Sequence, residues 1–202
     1  GLWLLALETR GMTSLAGDRA GLTSLAFSPD GTRIAFVQDN DLYIIGISDG
    51  EVTRLTTGGS ETIFNGTLDW VYNEELATRS SQPAYAWSPD GRWLIHLRLD
   101  ESQVQNHPVT DYRTFPPTVS YTRYSTAGSP NPEASVHMIN LETGESTPVT
   151  LPPETEHVMP FFAWFPDSSE AVYVTLDRAH TNLVLSAWNP VDGTERTLVE
   201  ET

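Results

Sequence analysis

The stretch LTSLAFSPDGTRIAFV, residues 22–37, decides the fold of this chain. It reads as an apolar strand, a Ser-Pro-Asp-Gly turn and a second apolar strand, because proline presets the turn, aspartate can cap it and glycine accepts positive φ. The pattern returns in AYAWSPDGRWLIHLRL (84–99) and FFAWFPDSSEAVYVTL (161–176). The flanks are short and rich in β-branched and aromatic residues, which predicts antiparallel hairpins.

A second hairpin pattern follows each copy of the first: an apolar strand, a turn with glycine and a threonine-rich strand. Its copies begin at Asp41, Ser135 and Leu183, and a fourth copy at residues 2–15 has no first-pattern partner before it. Four-stranded units in tandem are typical of a β-propeller. We therefore predict an all-β partial propeller of about three four-stranded blades plus an extra hairpin. A β-sandwich is the rival, but it does not predict the same turn at the same point of each unit.

Spacing locates two insertions. The first-turn proline and the second-turn glycine are 21 residues apart in the first unit and 27 in the third, but 55 in the second. The second unit therefore carries an arm of roughly 30 residues at about 100–133, and a shorter insertion precedes it. Long insertions in a repeat scaffold are usually functional. The predicted division is a partial blade (1–20), a blade (21–58), an insertion with a short helix (59–82), a blade with the arm (83–150) and a last blade (151–202).

Composition excludes several classes of protein. The chain has 202 residues, 27 acidic side chains against 11 basic ones, all of them arginine, and a formal charge of -16. This balance argues against nucleic-acid partners and against docking on an anionic membrane. No apolar run is long enough for a membrane-spanning helix, and the absence of cysteine excludes disulfides and thiolate sites. The sequence lacks an initiator methionine and begins within a repeat, so we expect it to be part of a longer chain.

The shorter insertion holds the candidate chemistry in ETIFNGTLDWVYNEELATRSS, residues 61–81. Asp69 can cap a short helix with Trp70 and Val71 as apolar anchors, and Glu74 and Glu75 follow as adjacent carboxylates. On residue type alone, a solvated helix with two surface acids is the favoured explanation.

Two other patterns give little support for a catalytic nucleophile or a metal site. A Gly-x-Ser-x-Gly sequence around Ser48 matches a nucleophile elbow, but a hairpin turn and not a strand–turn–helix surrounds it. The five histidines show no ligand spacing, and we expect no metal and no cofactor.

The segment FNGTLDWVYNEEL resembles the glutamate-bearing segment of the dipeptidyl peptidase IV family, which reads close to D-W-V-Y-E-E-E in relatives. The similarity continues through YAWSPDGRWLIHLRLDESQV, PVTDYRTFPPTVSYTRYSTAGSPNP and ASVHMINLETGE, and so covers nearly the whole chain. Asn73 stands where relatives have a third glutamate.

The resemblance implies an eight-bladed propeller over a C-terminal α/β-hydrolase domain, with Glu74 and Glu75 binding the free N-terminal ammonium of peptide substrates. The parent would be a serine peptidase that removes X-Pro or X-Ala dipeptides, without a cofactor. Its Ser-Asp-His triad and substrate-binding arginine would lie outside this sequence, so the fragment alone would be inactive. The alternative is the propeller of an inactive relative that serves as a protein-interaction scaffold. Nothing in the sequence separates a cytoplasmic from a periplasmic or secreted location.

The resemblance also implies that the arm contributes to a homodimer. Aromatic residues are enriched in protein interfaces, and the arm offers four candidates: Tyr112, Phe115, Tyr121 and Tyr124. A disordered or self-packed loop is the other interpretation of this segment.

Overall fold

Antiparallel sheets dominate the computed structural model, which describes residues 1–77 and 83–202. The chain begins with a hairpin of two strands, β1 (Trp3–Leu5) and β2 (Met12–Ser14). A four-stranded sheet follows in the order β3-β4-β5-β6, made of β3 (Thr23–Phe27), β4 (Arg33–Gln38), β5 (Asp41–Gly46) and β6 (Val52–Arg54).

The second sheet has a first strand in two pieces. Both β7 (Ile63–Asn65) and β8 (Tyr85–Trp87) pair with the long strand β9 (Trp93–Asp100). The sheet continues through β12 (Glu133–Asn140) to β13 (Ser146–Pro148), and the hairpin β10 (Asn106–Asp111) and β11 (Thr118–Arg123) extends from the end of β9. Strand β7 lies within the segment that the sequence assigned to the insertion, whose last five residues are outside the described part of the chain.

The third sheet repeats this plan on a smaller scale. Its strands are β14 (His157–Val158), β15 (Ala163–Trp164), β16 (Ala171–Leu176), β17 (Leu183–Trp188) and β18 (Glu195–Glu201). Strands β14 and β15 both pair with β16, and the order continues to β17 and β18. Nowhere in the described ranges is there a helix long and apolar enough to cross a membrane.

Side-chain hydrogen bonds build the first turn of each sheet. The Ser28 hydroxyl donates to the Asp30 carboxylate at 2.6 Å and accepts the Arg33 N–H at 2.9 Å. Ser88 makes the same two bonds in the second sheet, at the same two distances. In the third sheet Phe165 takes the place of the serine, and only the aspartate bonds of the turn remain. The recurring turn of the sequence is thus one recurring local structure.

The glycine turns are also equivalent to one another. The N–H of Gly50, Gly144 and Gly193 donates in each case to the carbonyl oxygen four residues earlier, at 3.0, 2.8 and 3.0 Å. These glycines have φ between 69° and 75°. In the first hairpin Arg10 holds this position with φ 55°, and its N–H donates to the Ala6 oxygen at 2.7 Å.

Apolar clusters lie between successive sheets and stack them face to face. The cluster between the first and second sheets joins Val37 and Leu42 to Tyr85 and Leu94. A larger cluster joins the second and third sheets, and its members include Ile95, Leu97, Leu99, Val136, Met138, Val158, Ala171, Tyr173 and Trp188. The described part of the chain is therefore a partial β-propeller, because successive four-stranded units bury apolar faces against one another in series.

Candidate functional site

The glutamate-bearing segment leaves the second sheet between the two pieces of its first strand. At the neck of this loop, the Gly66 N–H donates to the Leu97 oxygen at 2.9 Å, and the Leu97 N–H donates to the Ala84 oxygen at 2.9 Å. The Ala84 N–H donates in turn to the Gly66 oxygen at 3.3 Å. Strand β9 thus holds both ends of the loop, which places the segment at the edge of the sheet formed by its first strand.

A short π-helix carries the two glutamates. Asp69 accepts the Tyr72 N–H at 2.9 Å, as a capping residue does. The π-helix spans Tyr72–Leu76, and the Ala77 N–H donates to the Tyr72 oxygen five residues earlier at 2.8 Å. Single π-turns occur often at functional sites.

The apolar anchors of this helix differ from those expected. Tyr72 is fully buried and Leu76 is 8% exposed, and both lie in the cluster between the second and third sheets. Trp70 is instead 50% exposed and Val71 is half-buried. The expectation was wrong because a capping aspartate fixes where a helix starts but not which of its faces meets the core.

Glu74 and Glu75 are adjacent residues of this short π-helix. Glu74 is half-buried and Glu75 is exposed, and Asn73 beside them is half-buried. Because the neighbouring Tyr72 and Leu76 are anchored in the core, the backbone that carries the two glutamates is held in place. Their role in holding an ammonium group stays a prediction.

Two further acids of this region, Asp69 and Glu101, are buried. Asp69 is 4% exposed and Glu101 is 6% exposed. Burial, followed by the repulsion of the Asp69 carboxylate, raises the pKa of Glu101 to about 7, while the positive charge of Arg123 opposes the rise. Burial also raises the pKa of Asp69, although the amide hydrogen bonds to its carboxylate work in the other direction. No motif or spacing in the sequence links Glu101 or Arg123 to Asp69, so neither residue was predictable from the sequence.

The arm is a hairpin with exposed aromatic residues near its tip. Tyr112 is 80% exposed, Phe115 99% and Tyr121 69%. Tyr124, the fourth candidate interface residue, is half-buried, and its ring meets the Trp70 ring edge to face with 5.3 Å between centroids. Tyr124 therefore packs within its own chain, and the other three face outward.

The remaining sequence candidates lie away from the helix. Ser48 is in the turn between β5 and β6, the hairpin context that the sequence indicated. His96 is buried and stacks on His137 with 5.4 Å between centroids, and its burial lowers its pKa to about 3. Among residues 1–77 and 83–202, no group of three His, Asp or Glu side chains comes together as a metal site.

The series of stacked sheets has counterparts among known proteins. The family model for the dipeptidyl peptidase IV N-terminal region matches residues 1–202. The chain belongs to the dipeptidyl peptidase IV family. The resemblance that the motif predicted is therefore confirmed along the whole sequence, and so is the all-β propeller fold.

Curated members of the dipeptidyl peptidase IV family are similar over almost the whole chain. Dipeptidyl peptidase 4 of Trichophyton tonsurans is 34% identical over 203 residues, and that of Arthroderma otae is 32% identical over the same length. The crystal structure of Porphyromonas gingivalis dipeptidyl peptidase 4 matches with a TM-score of 0.88 and 25% identity over 99% of this chain. The alignments cover 96% of this chain but 24% of the two curated relatives, and 28% of the crystallised one. The chain thus spans about a quarter of their length.

Proposed function

We propose that this chain is the propeller portion of a longer serine exopeptidase, and that Glu74 and Glu75 bind the free N-terminal ammonium of its peptide substrates. One observation carries the proposal: both acids lie on a core-anchored helix that is inserted into the first strand of a sheet. The parent would remove X-Pro or X-Ala dipeptides, as the family resemblance implies.

The position of the loop supports this role. A propeller arranges its sheets radially around a central channel, so that one edge of every sheet faces the channel. The glutamate loop emerges from the second sheet, at the edge that the first strand of that sheet forms. If that edge lines the channel, the acids project into the chamber where a peptide would enter.

The chemistry of two carboxylates suits an ammonium ligand. A primary ammonium has three donors and no acceptor. Glu74 and Glu75 can each accept one of these hydrogen bonds, and a charge-assisted bond contributes about 1.5–3 kcal/mol. A blocked N-terminus carries no positive charge, so it would not offset the cost of removing water from the two carboxylates. The pair would thus measure the substrate from its free end.

The catalytic apparatus would lie outside this chain. Ser48, the residue with a nucleophile-like sequence, is in a hairpin turn, whereas an elbow needs a strand–turn–helix setting. We therefore propose an α/β-hydrolase domain further along the parent chain, where a Ser-Asp-His triad would carry out acyl transfer. The isolated chain should not hydrolyse a dipeptide amide.

The exposed tip of the arm supports a homodimer. Tyr112, Phe115 and Tyr121 together present apolar rings to solvent, and exposed apolar patches mark interaction sites. We propose that a second copy of the parent covers them. Phe115→Ser should shift the full-length protein towards monomer in sedimentation velocity, and an unchanged dimer would place the interface elsewhere.

Kinetics of the full-length protein test the ammonium site. Glu74→Gln and Glu75→Gln should each lower kcat/KM for a dipeptide amide roughly 30- to 1000-fold, because the loss of a charge-assisted bond that leaves the substrate ammonium underpaired costs about 2–4 kcal/mol. Glutamine keeps the shape of the side chain and removes its charge, so an effect on this scale reports charge.

Two control variants complete the test. Asn73→Ala changes the same helix without removing an acid, and Glu51→Gln removes an exposed acid from the turn between β5 and β6. Both should be nearly silent. Wild-type kcat/KM in both glutamine variants at 74 and 75 would assign those acids to the solvated surface. A folded full-length protein that hydrolyses no dipeptide amide would favour the scaffold alternative.

A further inference from the structure

The two insertions of the second sheet meet where the arm begins and ends. The Tyr124 ring, just after β11, lies edge to face against the Trp70 ring at 5.3 Å and against the His107 ring at 6.0 Å. The Tyr124 N–H donates to the Gln105 oxygen at 3.1 Å, which closes the root of the hairpin. An edge-to-face aromatic pair contributes stabilisation beyond its buried area. The root of the arm therefore packs against Trp70, two residues before the glutamate-bearing helix begins.

Charge provides a second, independent connection. The Arg123 Nε lies 3.9 Å from the Glu101 Oε1, and a terminal nitrogen of Arg123 donates to the Val104 oxygen at 2.7 Å. Glu101 follows directly after β9 and its N–H donates to the Thr62 oxygen at 2.9 Å, so Glu101 is held next to the start of β7. Arg123 is thus the cation that the described contacts place beside the buried acids of this region.

Asp69 links these charges to the helix. Its carboxylate accepts the Tyr72 N–H, and its backbone oxygen accepts the Asn73 N–H at 3.1 Å. Burial, and next the charge of Asp69, raise the pKa of Glu101, and the charge of Arg123 opposes the rise. Without the guanidinium, the buried Glu101 carboxylate would lose the opposite charge 3.9 Å away, a costly arrangement that is relieved by taking up a proton or by moving.

We propose that Arg123 and Tyr124, at the root of the arm, are positioning residues for Glu74 and Glu75. This inference rests on the ammonium-binding function proposed above. Arg123 holds the end of β11 against Glu101 and Val104, and the adjacent Tyr124 packs on Trp70. The two residues thereby set where the acids stand relative to the substrate ammonium, although neither touches the substrate itself.

The consequence is specific to one step of the reaction. A displaced helix weakens capture of the ammonium and leaves the reactivity of the proposed catalytic serine unaffected, because that serine would belong to another domain. Loss of either positioning residue should therefore raise KM for a substrate with a free N-terminus. It should not slow the reaction of the serine with a fluorophosphonate, which carries no ammonium.

The test uses the full-length protein with a dipeptide amide substrate. Arg123→Gln and Tyr124→Leu should each raise KM about 5- to 50-fold, with kcat and the fluorophosphonate labelling rate within about twofold of wild type. Arg123→Lys should restore much of the KM, because it returns the positive charge. The matched controls are Arg92→Gln, which breaks an exposed ion pair with Glu142, and Tyr43→Leu, which removes a ring stacked on Phe36 at 5.5 Å. Both controls should keep the wild-type KM.

The outcomes separate this inference from the function on which it rests. If Glu74→Gln and Glu75→Gln raise KM but Arg123→Gln and Tyr124→Leu do not, the positioning role is refuted and the ammonium site stands. A parallel fall in kcat, labelling rate and thermal midpoint would also refute it, because it would mean general destabilisation. If the two glutamate variants keep the wild-type KM, the ammonium site is wrong and the positioning role falls with it.

Discussion

Gly66 at the neck of the glutamate loop should not tolerate a side chain. Its φ of 71° lies in the left-handed region. A Cβ added there would lie 3.2 Å from a Leu42 methyl carbon and 3.3 Å from a Tyr85 ring carbon, with a Val37 methyl carbon at 3.6 Å. Leu42 and Tyr85 are both buried in the cluster between the first two sheets, so neither side chain has free space to move into.

The expected cost of Gly66→Ala has two parts. Placing an L-residue in the left-handed region costs about 1–2 kcal/mol, partly offset by the lower entropy of the unfolded alanine chain. Crowding a packed core adds about 1–3 kcal/mol. Gly31→Ala isolates the first part, because Gly31 has φ 70° and no atom within 4 Å of the added Cβ. We therefore expect a loss of about 2–4 kcal/mol at Gly66 against about 1 kcal/mol at Gly31.

Thermal unfolding of the full-length protein, followed by tryptophan fluorescence, measures the difference. For a unit of this size each kcal/mol moves the midpoint by about 2–4 °C, so Gly66→Ala should unfold several degrees below Gly31→Ala. Gly66→Ala should also raise KM for a dipeptide amide, since the neck carries the acids. Equal midpoints for the two variants would refute the reasoning, because they would mean that Leu42 and Tyr85 make room at no cost.

Three further changes test the electrostatics and the backbone. The folded pKa of His96 lies near 3, below its ordinary value of 6.5, so stability present above pH 6.5 is lost as the pH falls towards 3. His96→Phe should remove that loss. Thermal unfolding midpoints measured from pH 7 to pH 4 would contradict us if both proteins lost stability in parallel. The pH dependence of Glu101 is the reverse, because its pKa is raised from 4.5 to about 7 and its contribution to stability is lost as the pH rises through that interval. As the pH is raised from 5 to 8, the unfolding midpoint of the wild type should decrease relative to that of Glu101→Gln. A constant difference between the two proteins would count against a raised pKa at Glu101. Arg10→Gly should stabilise the first hairpin by about 0.5–1 kcal/mol, since glycine suits φ 55° better than arginine does, and a lower midpoint in the glycine variant would show that the arginine side chain matters more than its backbone.

The sequence predicted the sheets well because their turns carry the information locally. Proline, aspartate and glycine at fixed offsets encode a turn whatever lies around it. The turns at Ser28 and Ser88 have the same sequence, Ser-Pro-Asp-Gly, and the same hydrogen bond from serine to aspartate. Arg10 shows the limit of this reasoning. The adjacent Gly11 suggests itself as the turn glycine, but the hydrogen bond and the positive φ belong to Arg10. Position within a turn depends on register, which a single glycine does not fix.

The candidate site was predictable only in part. The acids at 74 and 75 follow from the motif, but the contacts that hold their helix are made by residues far away in sequence. Tyr124 was expected at an outer interface because it is an aromatic residue in an arm, and it packs instead against Trp70. Strand β7 was hidden for a related reason, since three residues are too few for an alternating pattern to show, and its pairing with β9 is a long-range contact.

The split first strand has a consequence for how such sheets diversify. Strand β9 binds both pieces of its neighbour, so the break between them costs the sheet almost no pairing, whatever length of chain occupies it. The third sheet has the same break, filled by residues 159–162 alone, where the second sheet accommodates residues 66–84. The break is thus a position at which a loop of another length or sequence could be inserted between Gly66 and Ala84. The strands around it would keep their pairing.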